Sequence, residues 1–127
     1  MIRCVLIIAA FLLLACGESP RSLDESIPAS IDGWTRSQLV PISTSDAPEI
    51  IRNLGLEQAA AATYTGPSSV SVKIYRMKVQ TSAFELIQKW RQSDGLAVYS
   101  GSYFVVADPG SGPDASRLLK ALQKSLQ

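Results

Sequence analysis

Three stretches of the chain repeat one pattern of apolar positions: an alanine, two apolar residues three and four positions on, and another at the seventh. They are Ala47-Ile50-Ile51-Leu54, Ala83-Leu86-Ile87-Trp90 and Ala115-Leu118-Leu119-Leu122. A stripe recurring at this spacing occupies one side of a helix, so each stretch predicts an amphipathic helix lying on a core. The flanking residues agree. Asp46-Ala47-Pro48-Glu49 and Ser82-Ala83-Phe84-Glu85 have the spacing of capping boxes, and Gly112-Pro113-Asp114 opens the third helix. Gly55 and Gly95 lie just past the first two helices, where a left-handed cap is wanted.

Between the helices the period changes to two. Val70-Ser71-Val72-Lys73-Ile74-Tyr75 alternates, and Ser102-Tyr103-Phe104-Val105-Val106-Ala107 is rich in β-formers. Leu96-Ala97-Val98-Tyr99 meets that second run across Ser100-Gly101, the signal of a hairpin. Residues 57–65 contain four consecutive alanines, which favour helix. Gly55 ahead and Gly66-Pro67 behind fit a strand feeding a hairpin instead, and strand is the reading adopted. An opening strand over residues 34–42 completes the order βαββαββα. That order predicts an α+β two-layer sandwich, an antiparallel sheet of about five strands with two to three helices on its apolar face. There is an internal echo: Glu49-Ile50-Ile51 and Glu85-Leu86-Ile87 are 36 apart, Tyr64-Thr65-Gly66 and Tyr99-Ser100-Gly101 are 35 apart. Duplication and two unrelated αββ units predict the same architecture.

The amino-terminal pattern is different in kind. Arg3 precedes an unbroken apolar run over residues 5–14, and the uncharged stretch from residue 4 to residue 17 is too short for a spanning helix, which needs roughly 20 apolar residues. Leu13-Leu14-Ala15-Cys16-Gly17 follows and resembles the lipobox of bacterial lipoprotein signals. That resemblance implies cleavage after Ala15, lipid on the Cys16 sulfur and palmitate among its acyl chains. An ordinary secretory signal is the other reading. The lone mature thiol favours lipidation: Cys4 leaves with the signal, so Cys16 would otherwise be an unpaired thiol in an exported protein. Two or more acyl chains hold a protein stably on a membrane, where one does not. Gly17 stands where the inner-membrane retention signal of enteric bacteria has aspartate, which implies an outer-membrane destination in an organism with two membranes. The expected division is a signal over residues 1–15, a lipidated cysteine with a polar leash over 16–26, and one domain over 27–127, long enough for a core without disulfides.

Gly33-Trp34 after an Ile-Pro segment, Tyr64 before a turn, Val72-Lys73-Ile74-Tyr75-Arg76-Met77 and Ala83-Phe84 resemble an uncharacterised family of small exported bacterial proteins. The resemblance spans about residues 27–126 and supports the fold. Longer members carry a Tyr-Ile-Asn-Gly-type segment where this chain has Ile50-Ile51-Arg52-Asn53-Leu54-Gly55, and no activity is assigned to the family.

Charge and chemistry narrow the function by exclusion. Without Arg3 the chain has eleven basic and eleven acidic residues, and formal neutrality argues against nucleic acid as a partner. The charges are unevenly placed: residues 17–66 carry three basic and seven acidic groups, residues 67–127 eight and four. There is no histidine, which removes Ser-His-Asp and Cys-His catalysis and the usual zinc and copper sites, so neither a metal nor another cofactor is expected. Asp108 and Asp114, flanking a Gly-Pro loop, read as turn and cap residues before they read as calcium ligands. Gly110-Ser111-Gly112-Pro113-Asp114-Ala115 has the letters of a dinucleotide fingerprint, but the chain leaves no room for the second strand and ribose acid that such a site needs.

What remains is an aromatic and basic set: Trp34, Tyr75, Arg76 and Lys78. These are the candidate ligand or partner face, against the plainer reading of packing residues. The expectation is a lipid-anchored, non-catalytic binding or assembly module of the cell envelope, facing periplasm or cell surface, with the membrane lipid on Cys16 and an envelope protein or small ligand as partners. The alternative is a small metal-independent enzyme working through carboxylate, Tyr or Lys groups, marked by two carboxylates sharing a pocket some 5–10 Å apart.

Overall fold

Alternation along the strands decides the architecture, because it gives the sheet two apolar faces. In the computed structural model, which describes residues 22–109 and 112–126, the central strands are β4 (Leu56–Thr65), β5 (Ser69–Met77), β6 (Leu96–Ser100) and β7 (Tyr103–Ala107). On β5 the residues Val70, Val72 and Ile74 bury in one core, whereas Tyr75 and Met77 bury in a second. On β7, Val105 and Ala107 join the first core, and Phe104 and Val106 the second. Successive side chains point to opposite sides of a sheet, so the two cores lie on opposite faces.

Each face is covered by helix. The first core takes in the buried stripe Ala115, Leu118, Leu119 and Leu122 of α4 (Asp114–Ser125). It also takes Leu23 of the short α1 (Leu23–Ser26), with Ile27, Trp34 and Tyr64. The second core is covered by α2 (Glu49–Asn53), through Ile51, and by α3 (Gln80–Lys89), through Ala83 and Leu86. The broad α+β class with an antiparallel sheet is therefore correct. The two-layer sandwich is not, since helices lie on both faces.

The sheet is also larger than about five strands. Among the described residues it has seven, in the order β1-β2-β4-β5-β7-β6, with β3 also paired to β4. The expected opening strand is broken into β2 (Trp34–Arg36) and β3 (Val40–Ile42), which pair with the two ends of β4 along the same edge. A hairpin partner, β1 (Ser30–Ile31), precedes them. Its two-residue turn is Asp32-Gly33, both with positive φ (48° and 86°), the conformation a tight hairpin with right-handed strand twist needs. Residues 57–65 are indeed strand. A bulge between Leu56 and Gln58 shifts the phase of β4, so Leu56 and Ala59 bury on the same side.

Neither expected capping box forms. Pro48 precedes α2 and Val79 precedes α3, neither with a side-chain cap. Ser82 lies inside α3, where its hydroxyl donates to the Leu54 carbonyl at 2.8 Å and ties the start of α3 to the end of α2. Trp90 falls just beyond α3 in extended backbone. Gly55 and Gly95 do take the left-handed backbone, at φ 94° and 118°. On the far side, the Gln123 side-chain amide of α4 donates to the Tyr99 carbonyl of β6 at 2.8 Å.

The echo is real as topology and false as letters. The units α2-β4-β5 and α3-β6-β7 repeat, with their second strands adjacent and antiparallel. The hairpin loops differ, however: Thr65 pairs with Ser69 but Ser100 pairs with Tyr103, so one loop is a residue longer. Tyr64 therefore faces α4 while Tyr99 packs edge-on to Phe84 of α3 at 5.6 Å.

The signal segment, the cleavage site after Ala15, Cys16 and the leash as far as Arg21 lie outside the described residues. Among the described residues Leu23 is the first to bury in a core, four residues before the expected domain boundary at residue 27.

Candidate functional site

On the face that carries α3, polarity changes along the strands. Tyr75 and Met77 of β5 lie buried in the core shared with α2 and α3, but Lys73 and Ser71, two and four residues before Tyr75 on the same side, do not. On β4 the matching change runs from Ala59 through Ala61 to Thr63, and on β7 from Val106 to Asp108, just past the strand end. Half of this face is therefore floored by small and polar groups and left bare by the helices.

Two adjoining clefts occupy the bare half. The larger, about 390 Å³, has Lys73, Tyr75, Val106 and Asp108 beneath it, Pro48 and Ile50 on one wall, and Trp90, Ser93 and Asp94 on the other. The smaller, about 260 Å³, continues over Ala61, Thr63 and Ser71 to Ser37 and Val40 at the β3 edge. Lys73 and Asp108 line both, so the two form one trough with a cation and a carboxylate at its waist. The larger cleft alone is in the size range of small-molecule sites.

The local fold fixes these groups. The Trp90 indole N–H donates to the Gly95 carbonyl at 3.1 Å, and its ring packs edge-on to Phe104 with centroids 5.1 Å apart. It is a rigid, half-buried wall. The Asp108 backbone N–H donates to the Ser71 carbonyl at 3.0 Å, which anchors the carboxylate at the end of β7. Tyr75 lies under the trough, and burial pushes its phenol above the usual value, helped by the negative charge of Asp108. It is thus a neutral group over the physiological range. Thr63 and Ser71 set their hydroxyl oxygens 3.5 Å apart along the floor. Among the described residues the lining holds hydroxyls, the Lys73 ammonium, the Asp94 and Asp108 carboxylates and an aromatic wall.

The candidate face read from the sequence does not come together. Trp34 is buried on the opposite side of the sheet, against Gly66. Arg76 points away from Tyr75, and its guanidinium donates to Gln58 at 2.7 Å and approaches Glu57 at 3.5 Å. Lys78 lies beyond the end of β5 beside Gly55, exposed. Tyr75 alone reaches the trough. Lys73 and Asp94 were not singled out, Trp90 was read only as part of a helical core stripe and Asp108 as a turn residue before a calcium ligand, although Ser71-x-Lys73-x-Tyr75 records the polar-to-apolar change on one strand face.

Asp114 is engaged elsewhere. Its carboxylate accepts from Arg117 and, at 2.9 Å, from Ser68, and these bonds hold its pKa below the usual carboxylate range. It pins the start of α4 to the β4–β5 loop. Among the described residues no three His, Cys, Asp or Glu side chains gather as metal ligands, and no described helix is long and apolar enough to cross a membrane. No family model matches the chain, and no curated protein or solved structure matches it.

Proposed function

We propose that this chain is a lipid-anchored module of the cell envelope, attached through Cys16, that holds a polar ligand or a segment of a partner in the trough. The observation that carries the reading is the sharing of Lys73 and Asp108 by two clefts on a sheet face the helices leave bare. Opposite charges at the waist suit a ligand that hydrogen-bonds or carries both signs, and they disfavour a polyanion. Trp90 adds apolar area at little entropic loss, because its ring is already fixed.

The test is affinity capture from native membranes with the full-length protein and its Lys73→Ala/Asp108→Ala variant. Retrieval of one protein or one saturable small ligand by the wild type, lost in the folded double variant, supports the trough. Equal retrieval by both overturns it. Anchoring has a separate readout: metabolic palmitate labels the wild type and misses Cys16→Ala, and labelling that survives the substitution removes the anchor.

A second reading has one specific observation in its favour. Lys73, Tyr75, Asp94 and Asp108 line a single cleft, the groups a metal-independent enzyme would use. Under that reading the captured ligand is altered on incubation with the wild type and returned unaltered, though still bound, by Asp108→Asn.

A further inference from the structure

The outer side of α4 is a basic ridge. With 3.6 residues per turn, Arg117, Lys120 and Lys124 fall within an arc of about 60° directly opposite the buried stripe of Ala115, Leu118, Leu119 and Leu122. All three are exposed, and Arg117 shares its charge with Asp114.

The first described residues to pack are on this same side. Leu23 and Ile27 bury in the core that α4 covers, so the chain leads toward Cys16 from the α4 face and not from the trough face. Seven residue steps separate Cys16 from Leu23. Fully extended, they reach about 25 Å. A domain of some hundred residues has a radius of roughly 17 Å, so a path around it to the opposite face runs about 50 Å. The leash is too short for that path.

We infer that the α1–α4 face is the surface that meets the bilayer, that its partner is a membrane with anionic headgroups, and that the trough is held facing away. This rests on the anchor at Cys16. A cation brought to an anionic surface strengthens partitioning by roughly fivefold, within a screening length of about 10 Å at 0.1 M salt. Glu25, exposed on α1, opposes the attraction, while Asp24 is offset by Arg36 at 3.8 Å. The ridge of α4 supplies the excess. The ligand of the trough accordingly arrives from the aqueous side, not from the bilayer.

The test uses full-length, processed protein in phosphatidylcholine vesicles with and without phosphatidylglycerol. A fluorophore is placed through Ser116→Cys on α4 or Ser93→Cys at the trough wall, and quenched by headgroup-labelled lipid. The expected result is several-fold stronger quenching at position 116 than at 93 in the anionic vesicles. That difference should fall on adding 0.5 M salt (about a 4 Å screening length) and in Lys120→Glu/Lys124→Glu, with the protein still floating with the vesicles. Equal quenching at the two positions, or stronger quenching at 93, overturns the orientation while leaving the anchor intact. Loss of flotation in the wild type, or flotation unchanged by Cys16→Ala, removes the anchor and this inference with it.

Discussion

Tyr64 shows how one buried hydroxyl sets a pH limit on the fold. Its side chain is fully enclosed beneath α4, and its hydroxyl donates to the Pro28 carbonyl at 2.7 Å. Burial pushes its pKa up to about 12, with the Arg36 charge opposing. A phenol whose pKa is raised by folding favours the protonated form in the native state. Its contribution is complete below pH 10 and is lost as pH climbs from about 10 to 12, on the order of 2–3 kcal/mol. Denaturant titrations across that window should show stability falling in the wild type and a shallower fall in Tyr64→Phe. The variant should start about 1 kcal/mol lower at pH 7, for the lost hydrogen bond. Tyr75 adds to the alkaline loss in the same direction. Gly95 is a second single-residue control. A Cβ there would run into the Ala107 carbonyl oxygen, and its φ of 118° is one that L-residues avoid. Gly95→Ala should lower stability by at least about 2 kcal/mol by thermal or urea denaturation. Gly95 was legible as a left-handed position. The opposite fates of Trp34 and Tyr75 were not: both are aromatics in strands, and only the pairing register decides which face each one meets.

At the scale of elements, α4 was the most legible and is also the most exposed to a core deletion. Its stripe is apolar at every buried position and polar between them except at Ala121, so Leu118 and its neighbours could be placed from spacing alone. Leu118→Ala should cost about 2–5 kcal/mol and release the first core without touching the trough face, as measured by denaturation alongside Trp90 fluorescence in a Trp34→Phe background. Residues 57–65 were also read correctly, because glycine and Gly-Pro punctuation outweighed the helix preference of four alanines. The misread elements share a cause. Residues 34–42 form two strands because a single edge of β4 is long enough to take both, with Ser37–Leu39 as a link, and nothing local marks that division. The Asp32-Gly33 turn was written in the sequence, but a strand only two residues long ahead of it gives no periodicity to read. The apparent capping box at Ser82 failed because a serine hydroxyl satisfies its hydrogen bond equally well on another element. The trough depends on which half of a sheet the helices leave bare. That is a property of helix placement, and no residue pattern states it.

For the molecule as a whole, the two ends of the sheet differ in how they close. One side ends in the two-residue β1 beside the chain's entry; the other ends in β6, five residues with Leu96 exposed. A strand of that kind presents unpaired backbone groups that a second copy can extend, the usual start of edge-to-edge aggregation. The Gln123 amide sits on the Tyr99 carbonyl in the middle of that edge. Gln123→Ala should leave the free energy of unfolding within about 1 kcal/mol of wild type. It should nonetheless raise the rate of self-association in concentrated solution, followed by light scattering. Scattering no faster than wild type would show that the bond is incidental. Under the anchoring proposed above, copies would be confined to a plane, where encounters are more frequent than in free solution. One glutamine on the last helix would then act as a guard against polymerisation, its worth growing with the density of molecules on that surface.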